Sequence, residues 1–127
     1  MVIDTSALVA ILLDEPERAD LVAAIGAADG RCLSVASFVE TSIVLHARSG
    51  VEAVRHLDRF IDRAGIEVAP VSVAQGRVAR DAFERFGKGR HPAGLNFGDC
   101  FAYALAVERD EPLLFKGDDF AKTDVPR

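Results

Sequence analysis

Short apolar runs alternate with longer amphipathic segments along this chain, and the alternation predicts strands and helices in turn. The apolar pair Val2 and Ile3 predicts a first strand, and Ala7–Leu13 continues as an apolar helix with Thr5 or Ser6 as its N-cap. The same patterns predict further strands at Arg31–Leu33, Ile66–Val71 and Pro112–Phe115. They predict further helices at Glu17–Ala28, from Ser34 or Ser37 to about Gly50, at Val51–Arg63, from a Ser72 cap to about Gly87, and from an Asn96 cap to about Val107. This order is typical of an α/β fold.

Asp4 is the only charged residue within Met1–Leu13. It lies where the predicted first strand ends and the first helix begins, which is the position where α/β folds place their ligands. A carboxylate there is costly to bury unless something positive meets it. Asp4 is therefore the first candidate for a functional residue.

Two further acids stand alone in apolar runs. Glu40 is the only charge between Cys32 and Leu45, and it shares a helical face with Ala36, Ile43, Val44 and Ala47. The alternative for Glu40 is a capping box, Ser37-x-x-Glu40, which needs no function.

Asp99 is the only charge between Pro92 and Val107. If Asn96 caps that helix, Asp99 falls in its first turn, where an acid suits the helix dipole and satisfies free amides. A capping acid is therefore the alternative for Asp99. A fourth acid, Asp118 or Asp119, follows the last predicted strand.

Four such acids in one small domain point to a shared site. Two unit charges about 4 Å apart repel by roughly 4 kcal/mol at an effective dielectric near 20. A cluster of carboxylates therefore raises its own pKa values or binds a cation. Oxygen-only ligands suit Mg²⁺ or Mn²⁺, and such ions activate water and stabilise phosphoryl displacement.

Composition adds limits. Half of the residues are hydrophobic (50%), which suits one compact domain spanning residues 1–127. No apolar run approaches the roughly 20 residues that cross a bilayer, and Met1 leads directly into the first strand without a secretion signal. We therefore expect a cytoplasmic protein with no membrane partner. Cys32 and Cys100 match no zinc spacing and are expected to be buried free thiols.

The net charge of −5 argues mildly against a nucleic-acid binder, but the charge is uneven. The segment from Arg77 to His91 is rich in basic residues, and its Gly87–Gly94 part reads as a basic loop. Both a phosphate-binding loop with Lys88 and Arg90 and a plain surface loop are open at this point.

Four segments together resemble the PIN-domain nucleases, in particular the VapC toxins of bacterial toxin–antitoxin pairs. The matching segments are Asp4-Thr5-Ser6-Ala7-Leu8, Glu40, Asn96-Phe97-Gly98-Asp99-Cys100 and Lys116-Gly117-Asp118-Asp119-Phe120. The resemblance implies a three-layer α/β/α sandwich with a mainly parallel central sheet. It also implies an Mg²⁺-dependent ribonuclease, a homodimer, and a cognate VapB-type antitoxin as inhibitor.

Carried over to this sequence, Asp4, Glu40 and Asp99 match the metal-binding acids of that family. Many relatives have an aspartate where this chain has Gly117, so we expect Asp119 to be the fourth acid, with Asp118 as second choice. Asp4 and Asp99 would hold the principal Mg²⁺ or Mn²⁺ for hydrolysis of an RNA phosphodiester. Glu40 and Asp119 would orient a water or a weaker second ion.

Three supporting roles follow from this scheme. Thr5 or Ser6 is expected to hydrogen-bond the acids, and the Gly87–Gly94 loop and Lys116 are candidates for contacts to the RNA backbone. The antitoxin is expected to dock on an apolar groove formed by the early helices.

Two alternatives come from other protein classes. Haloacid-dehalogenase-type phosphatases also carry an acid after the first strand, but they need a second aspartate two residues on, where this chain has Ser6. A catalytically silent PIN-fold module that binds RNA or protein is the second alternative, and the complete set of acids argues against it.

Overall fold

A four-stranded sheet forms the centre of the computed structural model, which describes Met1–Arg127. Its strands are β1 (Val2–Ile3), β2 (Cys32–Ser34), β3 (Glu67–Ala69) and β4 (Leu113–Leu114). They lie in the order β3-β2-β1-β4, and every neighbouring pair is parallel. Because the strands are parallel, their carboxyl ends meet at one edge of the sheet.

Six helices connect and cover the strands. They are α1 (Thr5–Leu12), α2 (Arg18–Ala27), α3 (Val35–Ser49), α4 (Val51–Ala64), α5 (Val73–Phe86) and α6 (Phe97–Arg109), followed by a short 3₁₀ turn at Phe120–Lys122. None of them is both long and apolar enough to cross a membrane.

The sheet separates two apolar cores. Val2 and Cys32 face the core that includes α5 and α6. Ile3 and Leu33, the next residues in the same strands, face the core that includes α1, α2, α3 and α4. Side chains alternate across a strand, so short strands with adjacent apolar residues serve both faces. The predicted three-layer α/β/α sandwich is confirmed.

Two local predictions are wrong. Asp4, not Thr5 or Ser6, is the N-cap of α1, because its side chain accepts a hydrogen bond from the Ser6 backbone. The predicted apolar stripe of α3 does not face the core either, since Ile43 is 64% exposed. The buried positions of α3 are instead Ser37, Thr41 and Leu45.

Two hydroxyl groups lie on the inner face of α3; the helix itself satisfies that of Thr41, whereas that of Ser37 is buried without a hydrogen-bond partner. The Thr41 hydroxyl donates to the Ser37 carbonyl oxygen at 2.7 Å. Ser34, one of the two predicted caps, is the N-cap of α3. The capping-box alternative for Ser37 and Glu40 is wrong, because Ser37 lies inside the helix.

Candidate active site

Asp4 lies at the carboxyl edge of the sheet, directly after β1. Its backbone N–H donates to the Leu114 carbonyl oxygen at 2.9 Å, which ties it to the end of β4. The Asp4 side chain is buried, with only 2% of the residue exposed. Its Oδ2 accepts hydrogen bonds from Ser6 N at 2.9 Å and from Ser6 Oγ at 2.6 Å. Its Oδ1 is buried without any hydrogen-bond partner.

Ser6 connects two parts of the site. Besides donating to Asp4, its Oγ accepts a hydrogen bond from the Lys116 backbone N–H at 3.0 Å. The prediction that Thr5 or Ser6 supports the acids is thus confirmed for Ser6. The Thr5 hydroxyl instead donates to the Ser37 carbonyl oxygen at 3.3 Å. Ser6 therefore fixes the Asp4 carboxylate and anchors the segment that follows β4.

Glu40 and Asp99 reach the same place from α3 and α6. The Glu40 carboxylate lies against Gly98, where a Cβ atom would overlap it. Asp99 forms a capping box with Asn96: Asn96 N donates to Asp99 Oδ2 at 3.0 Å, and Asp99 N donates to Asn96 Oδ1 at 2.9 Å. Asp99 therefore both caps α6 and belongs to the acid cluster. The capping alternative for Asp99 is correct, but it does not exclude a role in the cluster.

Burial, together with neighbouring acids, raises the pKa values of Asp4 and Asp99. The pKa of Asp99 is raised to about 7, chiefly by burial, with further contributions from the charges of Asp4, Glu40 and Asp119, while the Asn96 hydrogen bond opposes the shift. The pKa of Asp4 is also raised, again chiefly by burial and to a smaller extent by the charge of Glu40. Without a cation, the cluster therefore resists full ionisation near neutral pH.

The fourth acid lies at the rim of this cluster. Asp118 and Asp119 are both exposed after β4. The charge of Asp119 contributes to the raised pKa of Asp99, whereas that of Asp118 is not among the causes. Neither side chain lines the cleft that contains the other three acids. Asp119 is thus the one of the two whose charge acts on Asp99, but it lies outside the cleft, and its assignment as the fourth acid stays a prediction.

The cleft has a volume of about 350 Å³ and carries charges of both signs. Its charged residues are Asp4, Glu15, Glu40, Arg48, Asp99 and Lys116. Lys116 Nζ forms ion pairs with Glu15 at 2.7 Å and Glu17 at 3.1 Å. Since these two acids already neutralise Lys116, its predicted role at the RNA backbone has little support. Lys88 and Arg90 of the basic loop are exposed but do not line the cleft.

Arg48 is the residue that the sequence analysis missed. It is exposed, lines the cleft, and makes no ion pair or side-chain hydrogen bond. A signal was present in the spacing: Glu40, Val44 and Arg48 follow one another at intervals of four along α3 and therefore share a face. Arg48 is the cleft's cation that remains free to contact a phosphate.

The donor chemistry of the cluster suits a hard divalent cation. Asp4, Glu40 and Asp99 offer only oxygen ligands, and the buried, unpartnered Oδ1 of Asp4 is an atom that a cation would satisfy. No three Asp, Glu, His or Cys side chains stand in positions from which they could hold one ion together. Shared coordination therefore requires the carboxylates to draw closer than they lie here.

Comparison with known proteins identifies the family of the chain. The profile of the PIN domain family matches residues 1–126. Ribonuclease VapC of Mycolicibacterium smegmatis is 52% identical over 125 residues, which cover 98% of this chain and 97% of that protein. This chain belongs to the VapC ribonuclease family of PIN domains. The resemblance inferred from the motifs of this sequence is thereby confirmed.

Two solved structures share the fold of the chain. Mycobacterium tuberculosis VapC20, described as a sarcin-ricin loop cleaving toxin, aligns with a TM-score of 0.80 at 15% identity, covering 98% of this chain and 95% of that one. A toxin–antitoxin complex from Klebsiella pneumoniae aligns with a TM-score of 0.72 at 14% identity, covering 97% and 92%. At these identities, the likeness concerns the PIN fold.

Proposed function

We propose that this VapC-family chain is a metal-dependent endoribonuclease toxin that hydrolyses RNA phosphodiester bonds. The observation that carries the proposal is the buried Asp4 carboxylate, whose Oδ1 has no hydrogen-bond partner and whose residue lines a cleft shared with Glu40 and Asp99. Carboxylates from three separate segments that are buried together lower the stability of a fold, and a bound cation offsets this cost. The oxygen-only donors support a divalent cation as that ligand, and the ribonuclease names of the relatives support RNA as the substrate.

Asp4, Asp99 and Glu40 would hold Mg²⁺ or Mn²⁺, with Asp119 at the rim orienting water. When bound, such an ion neutralises the acids and lowers the pKa of an attacking water. The rest of the chemistry belongs to the protein. Ser6 holds Asp4 by two hydrogen bonds, and Asn96 fixes the orientation of Asp99.

Arg48 has a place in this scheme as a phosphate ligand. It enters the cleft from the last turn of α3, on the same helix face as Glu40. A guanidinium contacts phosphate oxygens in a bidentate fashion, and Arg48 has no competing acid partner. It would therefore hold the RNA backbone beside the acids.

We also propose a cognate VapB-type antitoxin as the inhibitor. An apolar groove between α3 and α4 is lined by Phe38, Val39, Ile43 and Val54. Val39 and Ile43 are exposed large apolar residues, which suit an amphipathic segment of a partner. The Klebsiella complex, a toxin bound to an antitoxin, supports this kind of partner. A homodimer and a cytoplasmic location stay predictions.

The test is cleavage of a panel of transfer, ribosomal and messenger RNAs in Mg²⁺ or Mn²⁺. We expect cleavage by the wild type, its loss in excess EDTA, and a fall of at least about 100-fold in Asp4→Asn and Asp99→Asn. The exposed α4 acid variant Asp58→Asn is the matched control and should cleave normally. RNA binding without cleavage in either metal would contradict the proposal and favour the silent binding module.

A further inference from the structure

The Lys116 side chain is held by two glutamates that do not belong to the acid cluster. Its Nζ forms ion pairs with Glu15 Oε1 at 2.7 Å and with Glu17 Oε2 at 3.1 Å. Each of the three side chains is less than half exposed, so solvent screens these pairs less than pairs on the open surface. Glu17 Oε2 is itself buried without a hydrogen-bond partner, which leaves the Lys116 ammonium as its compensating charge.

The turn between α1 and α2 presents the two glutamates. The Glu15 backbone N–H donates to the Ala10 carbonyl oxygen at 2.9 Å, which fixes the turn on α1. Pro16 restricts the backbone between the two glutamates, and Glu17 is the N-cap residue of α2. Both carboxylates therefore reach Lys116 from a well-fixed backbone.

The Lys116 main chain lies next to the acid cluster. Its N–H donates to Ser6 Oγ at 3.0 Å, and Ser6 Oγ donates in turn to Asp4 Oδ2 at 2.6 Å. One hydroxyl group therefore separates the Lys116 backbone nitrogen from the Asp4 carboxylate. Lys116 also lines the same cleft as Asp99, and a lysine has a flexible four-carbon stem that can cross such a gap. Without its two glutamate partners, the ammonium would be free to reach the acids.

Arg48, the other cation of the cleft, stands farther from the acids. It follows Glu40 by eight residues on α3, which corresponds to about 12 Å along the helix axis. Lys116 is thus the cation that is better placed to compete for the acids. An ammonium on these carboxylates would neutralise the same charges that attract a divalent cation.

We propose that Glu15 and Glu17 are positioning residues of the active site: they hold the Lys116 ammonium away from Asp4 and Asp99 and so keep these acids available to a divalent cation. The inference rests on the proposed metal-dependent function. It assigns a role to two acids that contact neither the cluster nor the substrate.

A purely structural role for these ion pairs has less support. In that role, the Lys116 side chain would tie the segment after β4 to the turn between α1 and α2. The segment is already anchored by the Lys116 main chain on Ser6. It is also anchored by the buried Phe120 ring, whose centroid lies 5.3 Å from that of Phe115.

The experiment measures the Mn²⁺ affinity of the full chain without RNA, from the electron paramagnetic resonance signal of free Mn²⁺. Glu15→Ala/Glu17→Ala removes both acceptors, whereas a glutamine amide oxygen would still accept from Lys116. We expect this double variant to bind Mn²⁺ at least about fivefold more weakly than the wild type, because the released ammonium pairs with the acids. Lys116→Met alone should keep the affinity within about twofold, and adding it to the double variant should restore the affinity to within about threefold of the wild type.

Glu52→Ala is the matched control, because it breaks an exposed ion pair with Arg55 on α4 and should bind Mn²⁺ normally. Thermal unfolding checks that each variant is folded. If the double variant does not fold, the single variants Glu15→Ala and Glu17→Ala are compared in its place, each with and without Lys116→Met.

The rescue by Lys116→Met is the decisive result. If Glu15 and Glu17 act only through their negative charge, Lys116→Met strengthens Mn²⁺ binding equally with and without them, and this additivity overturns the inference. If Lys116 acts as a tether, Lys116→Met alone weakens Mn²⁺ binding and rescues nothing, which also overturns it.

Asp99→Asn separates this inference from the proposed function. A wild type that binds no Mn²⁺, or whose Mn²⁺ affinity is unchanged by Asp99→Asn, would contradict the metal-dependent function and the inference with it. Mn²⁺ binding that requires Asp99, combined with additive effects at Lys116 and the two glutamates, would overturn the inference alone.

Discussion

The two oxygens of the Asp4 carboxylate are used differently. Oδ2 caps α1 and is held by Ser6, whereas Oδ1 is buried without a partner. Asp99 combines a capping bond to Asn96 with a place in the same cleft. At the scale of single residues, the acids that start two helices are thus also the acids that face one another.

Sequence alone identified these acids because each is a lone charge in an apolar run, which is an unusual and costly position. It did not identify Arg48 or Glu15, because charged residues at solvent-facing positions of helices do not stand out. Glu15 matters only through its ion pair with Lys116, which lies 101 residues away in the chain. Pairing over such a separation depends on tertiary structure.

The first prediction concerns Asp99 in metal-free protein. Its pKa rises from an ordinary 3.8 to about 7 on folding, so the native state binds the proton more tightly. Stability from this group is present at pH values below about 4 and is lost as the pH rises through about 7. Asp99→Asn keeps the cap and does not titrate.

In EDTA, the free energy of unfolding of Asp99→Asn should therefore equal that of the wild type near pH 4. Near pH 8 it should be more stable, by the order of 1 kcal/mol after allowance for solvent screening of a partly exposed side chain. Thermal unfolding across this range checks the expectation. A variant less stable at every pH would mean that the charge of Asp99 contributes mainly to capping.

At the scale of helices, α3 and α6 meet where Glu40 lies against Gly98. The sequence pattern predicted the existence and order of these helices well, and it placed the Asn96 cap of α6 correctly. It misjudged which face of α3 is buried. Ser37 and Thr41 turn inward and leave Ile43 outward; the helix satisfies the Thr41 hydroxyl, while the Ser37 hydroxyl is buried without a partner. A hydrophobicity pattern cannot detect that exchange.

The second prediction is Gly98→Ala. A helical Gly→Ala change normally stabilises by up to about 1 kcal/mol. Here the new methyl group would overlap the Glu40 carboxylate, which is the flexible end of a side chain and moves away. The variant should keep its melting temperature to within a few degrees and lose at least about tenfold in RNA cleavage.

Gly26→Ala on α2 is the matched control, because a Cβ atom there meets nothing within 4 Å. It should keep full activity. Unchanged cleavage by Gly98→Ala would show that the position of Glu40 is not important for hydrolysis.

At the scale of the whole molecule, a short parallel sheet brings the ends of β1 and β4 beside α3 and α6. The fold class followed from alternating strands and helices together with the family motifs, because parallel topology needs helical crossovers. The strand lengths did not follow: the predicted Ile66–Val71 strand is only Glu67–Ala69. The cleft itself depends on how four segments pack together, and the pattern of apolar and polar residues does not predict that packing.

The third prediction separates inhibition from hydrolysis. The α3–α4 groove lies on the face of the sheet away from α5, but Ile43 is one helical turn from Glu40 on α3, so the substitution made there is neutral. Ile43→Asn should weaken binding of the co-expressed cognate antitoxin at least about tenfold while RNA cleavage by the free toxin is unchanged. Isothermal titration and a cleavage assay measure the two effects.

Val107→Asn, at an exposed apolar position of α6, is the control and should leave antitoxin binding intact. Normal inhibition of Ile43→Asn would place the antitoxin on another surface.

The two buried cysteines provide intrinsic reporters of local opening. Cys32 lies in the sheet and Cys100 directly follows Asp99. Burial raises the pKa of both thiols, that of Cys100 to about 11 with a contribution from the Asp99 charge. Either thiol can therefore react with an alkylating reagent only when local opening of the structure exposes it. A faster reaction at Cys100 than at Cys32 would measure how often the first turn of α6 detaches while the strands stay joined.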